Sequence, residues 1–229
     1  MKKRKIGIVG GMGPLAGLEM ARMFYSKMSV DYDSEYYPII LVNDTDIPSR
    51  TRAYLFEETS PSERLIEIME ALCDQNVTDI LVACNSAHYF LRTYRLNRST
   101  KFWNIIENTS KNILDLELKF YVVLGGEVTV YSGIYNDYLQ PQMDLINYGD
   151  SLFKEVRFII DEVKSNRITE CTRKAFVSAV EGIVSDKIQT VIILACTELT
   201  FFKVDLISHG YRAVDSVEET VLNCLNDNK

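Results

Sequence analysis

Two cysteines stand in matched surroundings. Thr78-Asp79-Ile80-Leu81-Val82-Ala83-Cys84-Asn85 aligns with Thr190-Val191-Ile192-Ile193-Leu194-Ala195-Cys196-Thr197 at an offset of 112, each an apolar run ending in Ala-Cys before a polar residue. A thiol where a strand ends and a helix begins is placed for chemistry, because the partial positive charge of the helix N-terminus favours the thiolate. Two such thiols approaching one carbon from opposite sides could take a proton from one face and return one to the other, exchanging roles as the reaction reverses. The competing reading is packing, since free cysteine is among the most buried residue types. Packing is the better reading for either cysteine alone, and chemistry for the matched pair.

Other chemistries find less support. Cys73, Cys171 and Cys224 fall in helical patterns and read as packing residues. No CxxC pair occurs, and His88 and His209 lack zinc-type spacing, so neither a metal nor a disulfide framework is expected. Gly10-Gly11-Met12-Gly13-Pro14 follows an apolar run, but it is not GxGxxG and no GK[ST] follows, which argues against a nucleotide. His88, four residues past Cys84, could orient or deprotonate that thiol; a satisfied helix histidine is the favoured reading. Glu198 could play the matching part for Cys196. Arg50, in a Pro-bounded turn, offers a planar fork for a carboxylate, with Arg52 as a competitor and Thr51 as a nearby hydroxyl donor. Asn85-Ser86-Ala87 and Thr197-Glu198 supply backbone N–H groups where helices start, suited to a carboxylate and an enolate-like transition state. Lys164, near a helix end, reads by itself as a surface lysine compatible with the macrodipole.

The elements that must position these residues alternate from end to end. Strands are expected at Ile6–Val9, Ile39–Val42, Ile80–Ala83, Trp103–Ile106, Tyr121–Leu124, Val191–Ala195 and Tyr211–Val214. Helices are expected from Pro14 to about Met28, from a Ser60-Pro61-Ser62-Glu63 capping box to about Gln75, and near 151–165, 172–184 and 216–226. Short, uniformly apolar strands between helices predict parallel sheets flanked by helices. Two further anchors, Ile8-Val9-Gly10-Gly11 with Val123-Leu124-Gly125-Gly126 and Ile105-Ile106-Glu107 with Ala213-Val214-Asp215, recur at offsets of 115 and 108. The expectation is an α/β protein of two similar lobes related by pseudo-twofold symmetry, with the active site between them. The first lobe is expected over 1–107 plus 216–229 and the second over 108–215.

The chain has 229 residues, 47% of them hydrophobic and 25% charged, at a mean hydropathy of −0.04, as in ordinary globular proteins. A net charge of −7 argues against nucleic acid. The basic run Lys2-Lys3-Arg4-Lys5 precedes too short an apolar stretch for an export signal, and no apolar run is long enough to span a membrane. A cytoplasmic protein is expected.

The sequence resembles the aspartate/glutamate racemase superfamily, most closely its pyridoxal-independent aspartate racemase branch. The resemblance rests on Gly7 to Pro14, Asp46-Ile47-Pro48-Ser49-Arg50-Thr51, Ala83-Cys84-Asn85-Ser86-Ala87-His88, Ser132-Gly133-Ile134-Tyr135, Ala195-Cys196-Thr197-Glu198-Leu199 and Asp215-Ser216. It implies a cofactor-independent isomerase, commonly a homodimer, that interconverts L- and D-aspartate or glutamate with Cys84 and Cys196 as the acid/base pair. It further implies substrate contacts at Met12, Arg50, Thr51, Asn85, Ser86, Ala87, Thr129, Lys164, Thr197 and Glu198. Broad amino-acid racemisation, a diacid isomerase or decarboxylase, and a non-catalytic ligand-binding homologue are the alternatives. Ser49, Ser86 and Ala195 are mild departures from the family's Asp, Thr and Gly. Gly126 and Val128 depart more, in a segment that usually reads Gly-Thr-x-Gly-Thr, and bear on substrate preference.

Overall fold

The computed structural model describes residues 3–96 and 98–227; Lys2, the first residue of the basic run, lies outside them. The chain divides into two compact units, Met1–Asn108 with Val217–Lys229, and Thr109–Ser216.

The first unit runs β1 (Ile6–Gly10), α1 (Pro14–Lys27), β2 (Ile39–Asn43), α2 (Arg50–Leu55), α3 (Ser62–Asp74), β3 (Asp79–Val82), α4 (Asn85–Leu91), β4 (Lys101–Trp103) and α5 (Ile105–Leu114), the last crossing into the second unit. Its sheet has the order β2-β1-β3-β4, all parallel. Parallel neighbours need crossovers, and the helices supply them. Helix α3 shows why: Leu65, Ile68, Met69 and Leu72 recur at helical spacing and are buried against the sheet with Val9, Ile80 and Val82. Each such side chain contributes about 1.5–3 kcal/mol of burial.

The second unit runs β5 (Phe120–Leu124), α6 (Glu127–Tyr131), α7 (Asn136–Leu139), β6 (Asp144–Leu145), α8 (Asp150–Lys164), α9 (Glu170–Ile183), β7 (Thr190–Leu194), a 3-10 turn over Thr197–Phe202, α10 (Lys203–Ser208) and β8 (Arg212–Asp215). Helix α11 (Ser216–Asn226) follows and belongs, from Val217 on, to the first unit. This sheet is parallel too, in the order β6-β5-β7-β8. Val156, Ile159, Ile160 and Val163 of α8 and Phe176, Val177 and Val180 of α9 form its core with β5 and β7. Both sheets place their first strand second in order and the cysteine-bearing strand third.

Three local expectations are corrected. The apolar pair Ile105-Ile106 is helical, because the Asn104 side chain accepts the backbone N–H of Ile106 at 2.9 Å and of Glu107 at 3.3 Å and starts α5 there. The strand is Lys101–Trp103, so β4 corresponds to β8 at nearly the offset of the cysteine strands, and the 108-residue register does not hold. At α3, Pro61 is the N-cap residue; the Ser60 hydroxyl accepts from Ser62 N–H instead of closing a capping box. Cys171 is exposed rather than packed.

The amino end of the first sheet is held by Asp79, which is buried and takes hydrogen bonds from Arg4, Thr78 and Trp103. Burial works to raise its carboxyl pKa, but these donors outweigh that and hold it below the usual range. Arg4 also donates to the Cys224 carbonyl of α11 at 2.6 Å. Burial pushes the Cys224 thiol up to about 12, which suits a packing residue. Among the described residues no helix is long and apolar enough to cross a membrane.

Candidate active site

Parallel strands end on one edge, and the candidate residues of the first unit follow three adjacent carboxyl ends. Beyond β1, Gly11 takes φ +96°, and a Cβ there would stand 1.9 Å from the Asp44 carbonyl oxygen. Only glycine fits, and the turn lies against the segment that follows β2. Gly10 and Gly17 let α1 approach β1, since a Cβ on Gly17 would be 3.0 Å from the Gly10 Cα. Met12 sends its side chain into the core beside Ile47.

Beyond β2, the Ser49 side chain accepts the Arg52 N–H at 3.3 Å and caps α2. The expected turn arginine therefore sits at the first residue of a helix, with Thr51 next to it. Serine and aspartate are both good N-cap residues, which explains why the departure at Ser49 is mild. Arg50 is half-buried and donates to the carbonyls of Ile47 at 3.3 Å and Pro48 at 3.0 Å. Among the described residues it forms no ion pair. Arg52, the competitor, is paired with Glu58.

Beyond β3, Cys84 is the N-cap residue of α4 and half-buried. Asn85 and Ala87 are buried and Ser86 half-buried. His88 is buried. Its Nε2 accepts the Ile105 N–H at 3.3 Å, so Nδ1 carries the hydrogen and donates it to the Cys84 carbonyl at 2.9 Å. Burial pushes its pKa down to about 4, against backbone hydrogen bonds that favour the charged form. His88 is thus a neutral clamp on the Cys84 backbone, bonded to the carbonyl rather than the thiol, as the helix-histidine reading expects.

In the second unit Cys196 holds the matching place, half-buried after β7 and N-cap to the 3-10 turn. Its thiol donates to Glu198 Oε2 at 2.9 Å, and the Thr197 hydroxyl donates to the same oxygen at 3.0 Å. Glu198 and Thr197 are buried. A carboxylate at this distance can take the thiol proton. The neighbouring strand end brings Gly125 against this turn: a Cβ there would lie 3.0 Å from the Ala195 carbonyl oxygen. A Cβ on Gly126 would meet nothing within 4 Å, so that position opens onto free space. Val128 is fully buried in α6 and serves packing. Thr129 is buried and lines a cavity of about 60 Å³ with Val123, Tyr135, Asn136 and Tyr148. Lys164 is the last residue of α8 and exposed.

Among the described residues no three His, Cys, Asp or Glu side chains gather as a metal site would require. The structural role of His88 was the favoured of two readings, but its carbonyl partner was not legible, because a histidine four residues past Cys84 can face carbonyl or thiol. The contact between Tyr54 and Tyr89 carried no signal in the sequence, since α2 is too short to show a period.

A family model described as Asp/Glu/Hydantoin racemase matches residues 9–224. The chain is 28% identical over 204 residues to the broad specificity amino-acid racemase RacX of Bacillus subtilis (strain 168), covering 85% of each. The Picrophilus torridus aspartate racemase structure superposes with a TM-score of 0.83 at 26% identity, over 97% of this chain and 94% of that one. Glutamate racemase isoform RacE1 from Bacillus anthracis gives 0.72 at 17% identity, over 99% of this chain and 82% of that one, a likeness of fold alone. The family match runs from the end of β1 into α11 and takes in both cysteine-bearing strand ends, and the chain belongs to the Asp/Glu/Hydantoin racemase family.

Proposed function

We propose that the chain is a cofactor-independent aspartate racemase working by two-base proton transfer, with glutamate as its next substrate. The observation that carries the reading is the equivalence of Cys84 and Cys196: each follows the third strand of its own sheet, caps the next helical turn and stays half-buried. Half-burial alone does not single the pair out, since Cys73 within α3 is half-buried too; the matched place at a strand end does. One thiolate removes the α-proton and the other thiol protonates the opposite face, so each turnover leaves the pair with roles exchanged. Glu198 accepts the Cys196 thiol proton when that sulfur must act as base. His88 holds the Cys84 backbone.

Arg50, which forms no ion pair among the described residues, is assigned to the side-chain carboxylate, with Thr51 as a hydroxyl donor. Asn85, Ser86, Ala87 and Thr197 are assigned to the amino-acid head, Met12 to a backbone contact, Thr129 to the surrounding wall, and Lys164 to charge neutralisation. A cytoplasmic homodimer is part of the same reading. The test is chiral chromatography of L- and D-aspartate and of L- and D-glutamate, incubated without added pyridoxal phosphate. Conversion of either enantiomer of aspartate toward the racemate is expected. Calorimetric binding without conversion would identify the chain as a ligand-binding homologue.

Gly126 favours a second reading, broader specificity. Its φ is −77°, an ordinary value, so neither conformation nor space demands glycine, and room is left near Cys196 for a larger substrate side chain. Gly126→Thr is expected to lower kcat/KM for amino acids larger than aspartate by about 10-fold, or roughly 1.4 kcal/mol, with aspartate changed far less. Equal losses for all substrates would contradict that use of the space.

A further inference from the structure

We infer that Tyr54 and Tyr89 are positioning residues that hold the substrate-binding arginine in register with the first catalytic cysteine; the inference rests on the racemase reading above. Helix α2, which begins at Arg50, buries none of its six residues, and the core anchor nearest to it, Ile47, lies in the loop before it. Its cap from Ser49 and the Arg52–Glu58 pair are local in sequence and exposed, and tie it to nothing beyond its own loop. Helix α4, which begins directly after Cys84, is anchored: Asn85, Ala87, His88 and Leu91 are buried. Arg50 and Tyr54 lie one turn apart on α2, and Asn85 and Tyr89 one turn apart on α4, so each tyrosine shares a helix face with a residue of the candidate site.

The two rings meet edge to face, with centroids 5.1 Å apart and planes at 89°. Tyr89 is braced from its own side. The Phe90 ring lies 5.1 Å away at 84°, and the Arg92 guanidinium stands 4.1 Å from the Tyr89 ring centroid. Ser62 donates to the Phe90 carbonyl at 3.1 Å and ties the end of α4 to the start of α3. Tyr89 is therefore the fixed member and Tyr54 the guided one. The contact carries the placement of α4 to the helix that presents Arg50, and what it positions is a carboxylate grip, so its loss falls on substrate binding.

The experiment compares Tyr89→Leu and Tyr54→Leu with Tyr89→Phe and Tyr54→Phe, in kinetics with aspartate and in calorimetric titration of L-aspartate, with thermal melts to confirm folding. The leucine variants are expected to raise KM and Kd for aspartate about 10-fold while kcat stays within about twofold. The phenylalanine variants, which keep the ring edge, are expected to match the wild type. In an Arg50→Ala background Tyr89→Leu is expected to add less than about twofold, because there is no grip left to position. A leucine variant with unchanged KM and Kd overturns the inference, as does a penalty that persists undiminished without Arg50. A wild type that binds aspartate but converts none sinks the racemase reading and leaves the titration as the readout of this one. A wild type that does not bind aspartate overturns both.

Discussion

Cys84→Ala and Cys196→Ala are each expected to lower the rate of aspartate racemisation by about 10³-fold or more, in both directions. A positioned acid or base contributes typically about 10²–10⁴-fold, and in the proposed two-base transfer each turnover needs both groups whichever enantiomer enters. The double variant should be little worse than either single one, because the two sulfurs act as a unit. Both side chains are half-buried, and alanine removes one atom from each, so the fold should survive. Cys171→Ala, at an exposed helix position, is the control and should retain full activity. The measurement is the initial rate of racemisation from L- and from D-aspartate, with circular dichroism alongside. A single variant that keeps its rate would remove that cysteine from the mechanism.

His88 should make the protein acid-sensitive in a defined window. Its pKa is about 4 in the fold and 6.5 in the unfolded reference. Above about pH 6.5 neither state holds the extra proton and the effect on stability vanishes. As pH falls through 6.5 the unfolded chain takes up a proton that the folded chain refuses, so stability drops until the folded ring also protonates near pH 4. The slope approaches about 1.4 kcal/mol per pH unit, and the total loss is on the order of 3 kcal/mol. His88→Asn is expected to be less stable at pH 7, by about 1–3 kcal/mol, through loss of bonds to the Cys84 carbonyl and the Ile105 N–H. It should also show a shallower fall between pH 6.5 and 4. Urea unfolding of both proteins at several pH values checks this, and identical slopes would mean that His88 is not held neutral.

The residues differed in how much they disclosed before the structure. Ile6 to Val9, Ile80 to Val82 and Val191 to Leu194 read as central parallel strands because they are buried on both faces, which leaves an uninterrupted apolar run. Strand β6 is two residues long and β4 begins with lysine, so neither gives such a signal. Ile105-Ile106 looked like a strand because a short apolar run fits strand and buried helix alike. Asn104 with Glu107 three residues on was the cue that decides it. At the site, the cysteines were legible because a strand end repeated with its neighbours. Arg50 was legible as a residue but not as part of a helix, since the Ser49 cap opens a helix of only six residues. His88 lies four residues past Cys84, a spacing the local pattern records, but the Ile105 N–H that fixes its ring and the contact between Tyr54 and Tyr89 depend on residues brought together by tertiary packing.

The most direct test of two-base transfer is the fate of solvent hydrogen at the first few per cent of conversion. L-aspartate is incubated with the protein in deuterium oxide, the enantiomers are separated on a chiral column, and the α-deuterium content of each is read by mass spectrometry. The account predicts D-aspartate carrying deuterium and recovered L-aspartate almost free of it, because the group that takes the proton is not the one that delivers the next. Equal deuterium in both enantiomers from the outset would mean that one group serves both faces, and would contradict the assignment of Cys84 and Cys196 as opposed partners.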